Sequence, residues 1–192
     1  MTLLFNLNYP LESLFWSKKN NLIKNALLVL IGVFVLAIAS QLAIPLQPVP
    51  LTFQSATVLL IALMYGARLG SATIATYLIA GACGVPVFAE MSSGLNILLL
   101  GPTSGYLLGF FFAALLSGYL MQRGWGKHFI SAFAASLCGA IVIFALGLLV
   151  LSHYTGWQVA FQVGLQPFLL TELFKLLIVA AIAPYFWKQP VA

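Results

Sequence analysis

Glu172 and Lys175 stand three residues apart inside an otherwise apolar C-terminal stretch. On a helix that spacing puts both side chains on one face. An ionisable group within a membrane helix costs several kcal/mol, from about 2.5–3.5 upward, and pairing opposite charges lowers that cost. A purely structural role would be a charge pair that locks helix packing, or a lysine that snorkels outward. The functional alternative is a polar anchor in a cavity reached from outside. We favour it because a pair kept only for packing is replaceable by apolar residues at little loss. A carboxylate beside an ammonium suits a ligand with both N–H donors and oxygen acceptors.

The other candidates surround this pair. Glu90 is the single acidic residue of the segments between apolar runs, and is either a solvated loop charge or a lid contact to ligand. Thr52 and Gln54 follow a proline-rich stretch, where they either cap a helix or reach a ligand. Among the aromatics, Phe88, Tyr106, Phe110 and Phe168 are core or lipid-facing residues, of which one or two beside a heterocycle would be normal for a small-molecule pocket.

Several chemistries are excluded. Gly101-Pro102-Thr103-Ser104-Gly105 lacks the Gly-Lys-Ser/Thr ending of a phosphate loop, so the chain carries no visible ATPase. Pro102 can start a helix there, and Gly101 and Gly105 permit close backbone approach. Cys83 and Cys138 lie in apolar runs, and no Cys/His cluster has metal-ligand spacing. His128 and His153 sit near helix ends as structural polar residues. Three acidic residues are too few for a carboxylate-rich metal site, and no nucleophile-plus-base signature is present, which argues against an intramembrane hydrolase.

The elements that must position these groups follow from composition. Of 192 residues, 62% are hydrophobic and 6% charged, against about 25% charged in soluble domains. Lipid is therefore the main solvent, and the expected fold is one all-α integral membrane domain. Helices of about 20 apolar residues are expected near 24–44, 53–66, 68–84, 102–122, 128–151 and 167–187. The second and third, separated by Gly66-Ala67-Arg68, read as a tight hairpin. Strands are not expected, because the alternation of a membrane barrel is absent. The first apolar run, which includes Ala37-Ile38-Ala39, is longer than a signal-peptide core of roughly 7–15 residues and reads as an uncleaved span. Residues 1–21, with Pro10 and Glu12, read as an interfacial or partly disordered segment.

Basic residues give the orientation. Six crossings put Lys18, Lys19 and Lys24, then Arg68, then Arg123 and Lys127, then Lys188 on one side, and leave only Lys175 elsewhere. The positive-inside rule makes that side the cytoplasm, with both termini there. The formal charge of +5 is a topology signal and not a nucleic-acid footprint. The outer segments near 45–52, 85–101 and 152–166 are connectors. Pro45, Pro48 and Pro50 stiffen the first, and the glycine- and proline-rich second can fold inward to cap a cavity. Ala39 and Ala43, four apart in the first helix, are either chance or a surface for close approach of another helix.

With the segments placed, the sequence resembles the BioY family, the substrate-specific components of energy-coupling-factor biotin transporters. The matching stretches are Pro48-Val49-Pro50-Leu51-Thr52-Phe53-Gln54, Tyr65-Gly66-Ala67-Arg68-Leu69-Gly70, Gly84-Val85-Pro86-Val87-Phe88 and Gly101-Pro102-Thr103-Ser104-Gly105-Tyr106-Leu107. Pro167-Phe168 follows, with Glu172 and Lys175 behind it. They cover roughly residues 30–187 in the family's order. The resemblance implies a six-helix subunit of the cell (inner) membrane whose outer cavity holds biotin as cargo beneath loops. It implies ligand contacts at Glu172 and Lys175, and no cofactor. It also implies a transmembrane coupling subunit and cytoplasmic ATPases as partners, with the coupling contact on small residues of the first helix, here Ala39 and Ala43. The chain departs from the family pattern at Glu172, where aspartate is usual, and at Ser104, where glycine is usual. Rival readings are another vitamin on the same scaffold, or a solitary proton-coupled carrier with Glu172 as relay.

Overall fold

The computed structural model describes residues 22–186. Helix α1, Leu22–Gln41, is an unbroken apolar run that stops before Pro45, whose ring disfavours helix in the preceding residue. One face, with Gly32, Leu36, Ala39 and Ser40, is buried, while Leu27, Leu30, Ile31, Phe34, Val35 and Ile38 are exposed. Beyond α1, two short strands pair antiparallel: β1, Ala43–Ile44, and β2, Leu51–Thr52. The three prolines lie between them, where a missing N–H removes no ladder bond.

The first helix ends at Gln41 rather than 44, and a strand pair exists where none was expected. Ala43 therefore belongs to β1, and no helix face joins it to Ala39. Ala39 is itself buried within this chain. Gly32 serves internal packing as well, since an added methyl there would collide with Thr73.

Helix α2, Gln54–Ala82, is broken at Gly66, whose φ of 75° and ψ of 178° lie outside the helical region. Glycine adopts that conformation without the Cβ clash other residues incur. The break turns α2 into two arms, 54–65 and 67–82. In a straight helix residues 54 and 77 would stand about 34 Å apart at 1.5 Å per residue. Instead Gln54 Nε2 donates to Tyr77 Oη at 2.7 Å. An added Cβ at Gly70 would lie 3.2 Å from the Ala62 Cα. The arms thus double back on each other as a hairpin.

A 3-10 turn at Ala89–Met91 leads to α3, Leu95–Leu100, then α4, Ser104–Gln122, a second 3-10 turn at Trp125–Lys127, and α5, Phe129–Thr155. Helices α6, Trp157–Gly164, and α7, Leu169–Phe186, follow with a 51° bend between them. The outer segments 85–101 and 152–166 thus contain α3, the end of α5 and all of α6. Helix α6 escapes a search for long apolar runs because it is short and amphipathic: Ala160 and Gly164 are buried, Trp157 and Phe161 exposed. Helices α4 and α5 lie unusually close, since a methyl on Gly105 would collide with the Leu146 carbonyl and one on Gly109 would lie 2.9 Å from the Ile143 Cα.

Among the described residues four helices, α1, α2, α4 and α5, are long and apolar enough to cross a bilayer, and counting the bent pair α6–α7 as one span gives up to five. The chain is a multi-pass membrane protein with an all-α core. Its two ends differ. Gly118, near the end of α4, abuts Gly66 and Ala67 at the α2 bend, and Tyr65 Oη donates to the Leu28 carbonyl in early α1. Arg68, Arg123 and Lys127, all exposed, therefore gather at one end with the start of α1. Lys24 lies in the first turn of α1 and is buried, so it is no solvated flank. Lys18, Lys19, Lys188 and the expected segment at 1–21 lie outside the described residues. The strand pair and the 83–103 segment close the opposite end.

Candidate functional site

A cavity of about 260 Å³ opens at the end remote from the basic residues. Water occupies about 30 Å³ per molecule in the liquid, so the space suits a small organic ligand. Its floor is polar. Glu172 falls in the first turn of α7, where a carboxylate is favoured by the helix dipole, and Lys175 follows one turn later. Both are 5% exposed. Lys175 Nζ donates to Glu172 Oε2 at 3.1 Å, to the Thr52 carbonyl at 2.7 Å and to Ser55 Oγ at 3.2 Å. Those three contacts use all three ammonium protons. Ser55 Oγ in turn donates to Glu172 Oε2 at 2.9 Å. The other carboxylate oxygen, Glu172 Oε1, is buried and has no hydrogen-bond partner. The floor therefore holds its cation saturated and leaves one carboxylate oxygen without a partner.

Thr52 holds a backbone donor at the start of α2, whose N-cap residue Phe53 makes no side-chain cap bond. Thr52 Oγ1 accepts from the Gln54 backbone N–H at 3.2 Å at the start of α2 and donates to Gln54 Oε1 at 3.1 Å, and both residues line the cavity. Gln54 continues through Tyr77 Oη, which donates to the Val87 carbonyl at 2.7 Å. The hairpin of α2 is what brings these partners together.

The walls are apolar. Tyr106, Phe144 and Phe168 form a run of rings with centroids 6.0 and 5.9 Å apart. Tyr106 is fixed by a 2.9 Å bond from its hydroxyl to the Gly164 carbonyl and by packing over Gly147, where a methyl would enter its ring. The cover consists of Pro48-Val49-Pro50 and the turn Phe88–Ser92. Phe88 is 2% exposed, stacks edge-on against Tyr77 at 5.6 Å and sits on Gly81. Glu90 is exposed at the rim. Thus Gln54, Phe88, Glu90, Tyr106, Glu172 and Lys175 all border one cavity, as do Phe110 and Phe168. Ala39 and Ala43 do not border it.

A sequence profile of the BioY family matches residues 12–190. The chain belongs to the BioY family. Similar BioY proteins include the biotin transporter BioY of Thermotoga maritima, 38% identical over 79% of this chain and 90% of that protein. The biotin transporter BioY2 of Lactococcus lactis is 34% identical over 84% of this chain and 88% of that protein. The fold is similar to the crystal structure of the S-component for biotin from an ECF-type ABC transporter, with a TM-score of 0.80 and 20% sequence identity, covering 90% of this chain and 96% of that one.

Three residues that shape the site in this BioY chain were not among the sequence candidates. Ser55 carried a signal, a hydroxyl beside Gln54 at the start of an apolar run. Phe144, by contrast, is indistinguishable in sequence from lipid-facing phenylalanines. Gln41, the last residue of α1, donates from Nε2 to the Phe88 carbonyl at 2.9 Å and accepts from the Met91 N–H at 3.0 Å. Its signal was an amide at the end of an apolar helix, next to a loop.

Proposed function

We propose that this chain binds biotin and serves as the substrate-specific subunit of an energy-coupling-factor transporter. The observation that carries the reading is the buried Glu172 Oε1, an acceptor without a partner on a residue that lines the cavity of a BioY-family chain. A buried acceptor without a partner costs roughly 1–3 kcal/mol, and a ligand N–H removes that penalty on binding. The ureido group of biotin supplies such a donor. Its carbonyl oxygen accepts from Lys175, replacing the 3.2 Å contact to Ser55, the longest of the three. The thioether ring and alkyl chain fill the space beside Tyr106, Phe144 and Phe168.

In this reading the chain crosses the inner membrane six times, with both termini in the cytoplasm. Counting the two arms of α2 separately and α6–α7 as one crossing supports six. The exposed Arg68, Arg123 and Lys127 at the end away from the cavity support an outward-facing site. Biotin is cargo, and no resident cofactor takes part. A transmembrane coupling subunit and cytoplasmic ATPases supply the energy, since this sequence has no nucleotide loop. Ala39 and Ala43 do not form one helical face for that contact, since Ala43 lies in β1 and Ala39 is buried.

Calorimetry on the purified protein with biotin and a panel of other vitamins tests the reading. Biotin alone should bind tightly, and mass spectrometry of small molecules retained through purification should find it. Tight binding of a different vitamin, with biotin inert, would overturn the assignment of cargo.

A further inference from the structure

The cover of the cavity is held at its two ends by different means. Phe88 is locked into the core between Tyr77 and Gly81. The turn after it is strained and exposed: Glu90 and Met91 both adopt φ of 56°, a left-handed conformation that non-glycine residues rarely visit. Local backbone bonds inside the turn are few, with the Phe88 N–H donating to the Ser92 carbonyl and the Ser92 N–H to the Ala89 carbonyl, both at 3.1 Å. The tie from outside the turn is the Gln41 side chain. Its Oε1 accepts from the Met91 N–H and its Nε2 donates to the Phe88 carbonyl, so one amide spans the turn. The same Nε2 lies 2.7 Å from Ser40 Oγ, which donates to the Val87 carbonyl at 2.7 Å.

We propose that Gln41 is a latch: its amide holds the Phe88–Met91 turn shut over the cavity and sets the rate at which ligand enters and leaves. A strained turn does not stay closed by its own preference, and the two bonds from Gln41 oppose its relaxation. Because Gln41 is the last residue of α1, and α1 exposes most of its length, a displacement of α1 withdraws the latch from the turn. The helix with the largest free face is thereby the one connected to the cover. Gln41 does not border the cavity, so it is a positioning residue.

The assignment of biotin as the ligand rests on the proposed function, whereas the latch is testable without it. Hydrogen exchange on the ligand-free protein should show the Met91 amide protected in the wild type and exchanging about tenfold faster or more in Gln41→Ala, from two lost hydrogen bonds. Gln41→Glu keeps the acceptor for Met91 and loses the donor to Phe88, and should fall between. With biotin as probe, stopped-flow binding should show association and dissociation rates rising together, about tenfold, with the dissociation constant changing less than about threefold. A residue that merely contacts ligand would raise dissociation alone. Unchanged Met91 exchange in a Gln41→Ala protein that melts like the wild type would overturn the latch. So would a rise in dissociation without a rise in association. If biotin does not bind the wild type at all, the cargo assignment fails, and the exchange experiment still decides the latch.

Discussion

The floor and the cover of the cavity are built on opposite principles. The floor side chains sit on helices: Ser55 on α2 and Glu172 and Lys175 on α7, joined by bonds that cross 117 and 120 residues of sequence. They are buried, and every ammonium proton is spoken for. The cover includes a turn with left-handed residues and an exposed carboxylate, anchored by the Phe88 ring and bridged by the Gln41 amide. Rigid helical positions fix geometry well, whereas loops with few buried contacts open at low cost. Affinity and selectivity should therefore reside in the floor and exchange rates in the cover.

The strongest challenge to that division is Lys175→Ala. It leaves the Glu172 carboxylate buried and uncompensated, which typically costs 3–5 kcal/mol of stability (roughly). Biotin affinity should fall by more than about 100-fold, the corresponding figure for 3 kcal/mol, and the melting temperature should drop. The double variant Lys175→Met with Glu172→Met separates the two effects: replacing both charges by apolar groups should restore most of the stability and none of the binding. Recovery of binding in the double variant would place recognition outside the floor.

Glu172→Gln should come next in size. An amide has one oxygen, but Lys175 and Ser55 need an acceptor on one side and the ligand N–H needs another. Either orientation sets donor against donor. The expected loss is about 2 kcal/mol, or roughly 30-fold in affinity by calorimetry, with association rate unchanged. An altered association rate would mean that the floor also governs access.

The reach of the sequence follows the same line between local and distant partners. The i, i+3 relation of Glu172 and Lys175 was legible because helix geometry alone fixes it. The hairpin was legible because Gly66 interrupts an apolar run followed at once by Arg68. Ser55 as the bridge between the charges was not, since it depends on α2 and α7 meeting 117 residues apart. The strand pair was missed because two-residue strands carry no period, and α6 because it is too short to register as a span. Ala39 and Ala43 do not share a helix face, because the spacing rule applies only while the helix continues, and α1 stops at Gln41. Six cavity residues were found through motifs and polarity within apolar runs, while the latch at Gln41 depends on a loop conformation that no spacing encodes.

The joint between floor and cover is Tyr77, whose hydroxyl accepts from Gln54 and donates to the Val87 carbonyl. Tyr77→Phe keeps the ring against Phe88 and removes both bonds. The expected effect is about 1–2 kcal/mol of stability, read as a lowered melting temperature, with biotin affinity reduced about threefold to tenfold. A loss as large as that of Glu172→Gln would mean that the cover contributes to affinity directly, and the division would fail.

The smallest effect belongs to Glu90. Its carboxylate stands at the rim, exposed to water, and an anionic ligand tail passing it meets like charge. At exposed sites such terms are screened with a Debye length of about 8 Å at physiological ionic strength. Glu90→Gln should therefore strengthen binding of biotin by no more than about twofold to threefold, mainly through faster association. The gain should vanish on raising salt to about 1 M, where the Debye length falls to about 3 Å. A salt-insensitive loss of affinity would instead make Glu90 a direct ligand contact, and the cover would then share in recognition with the floor.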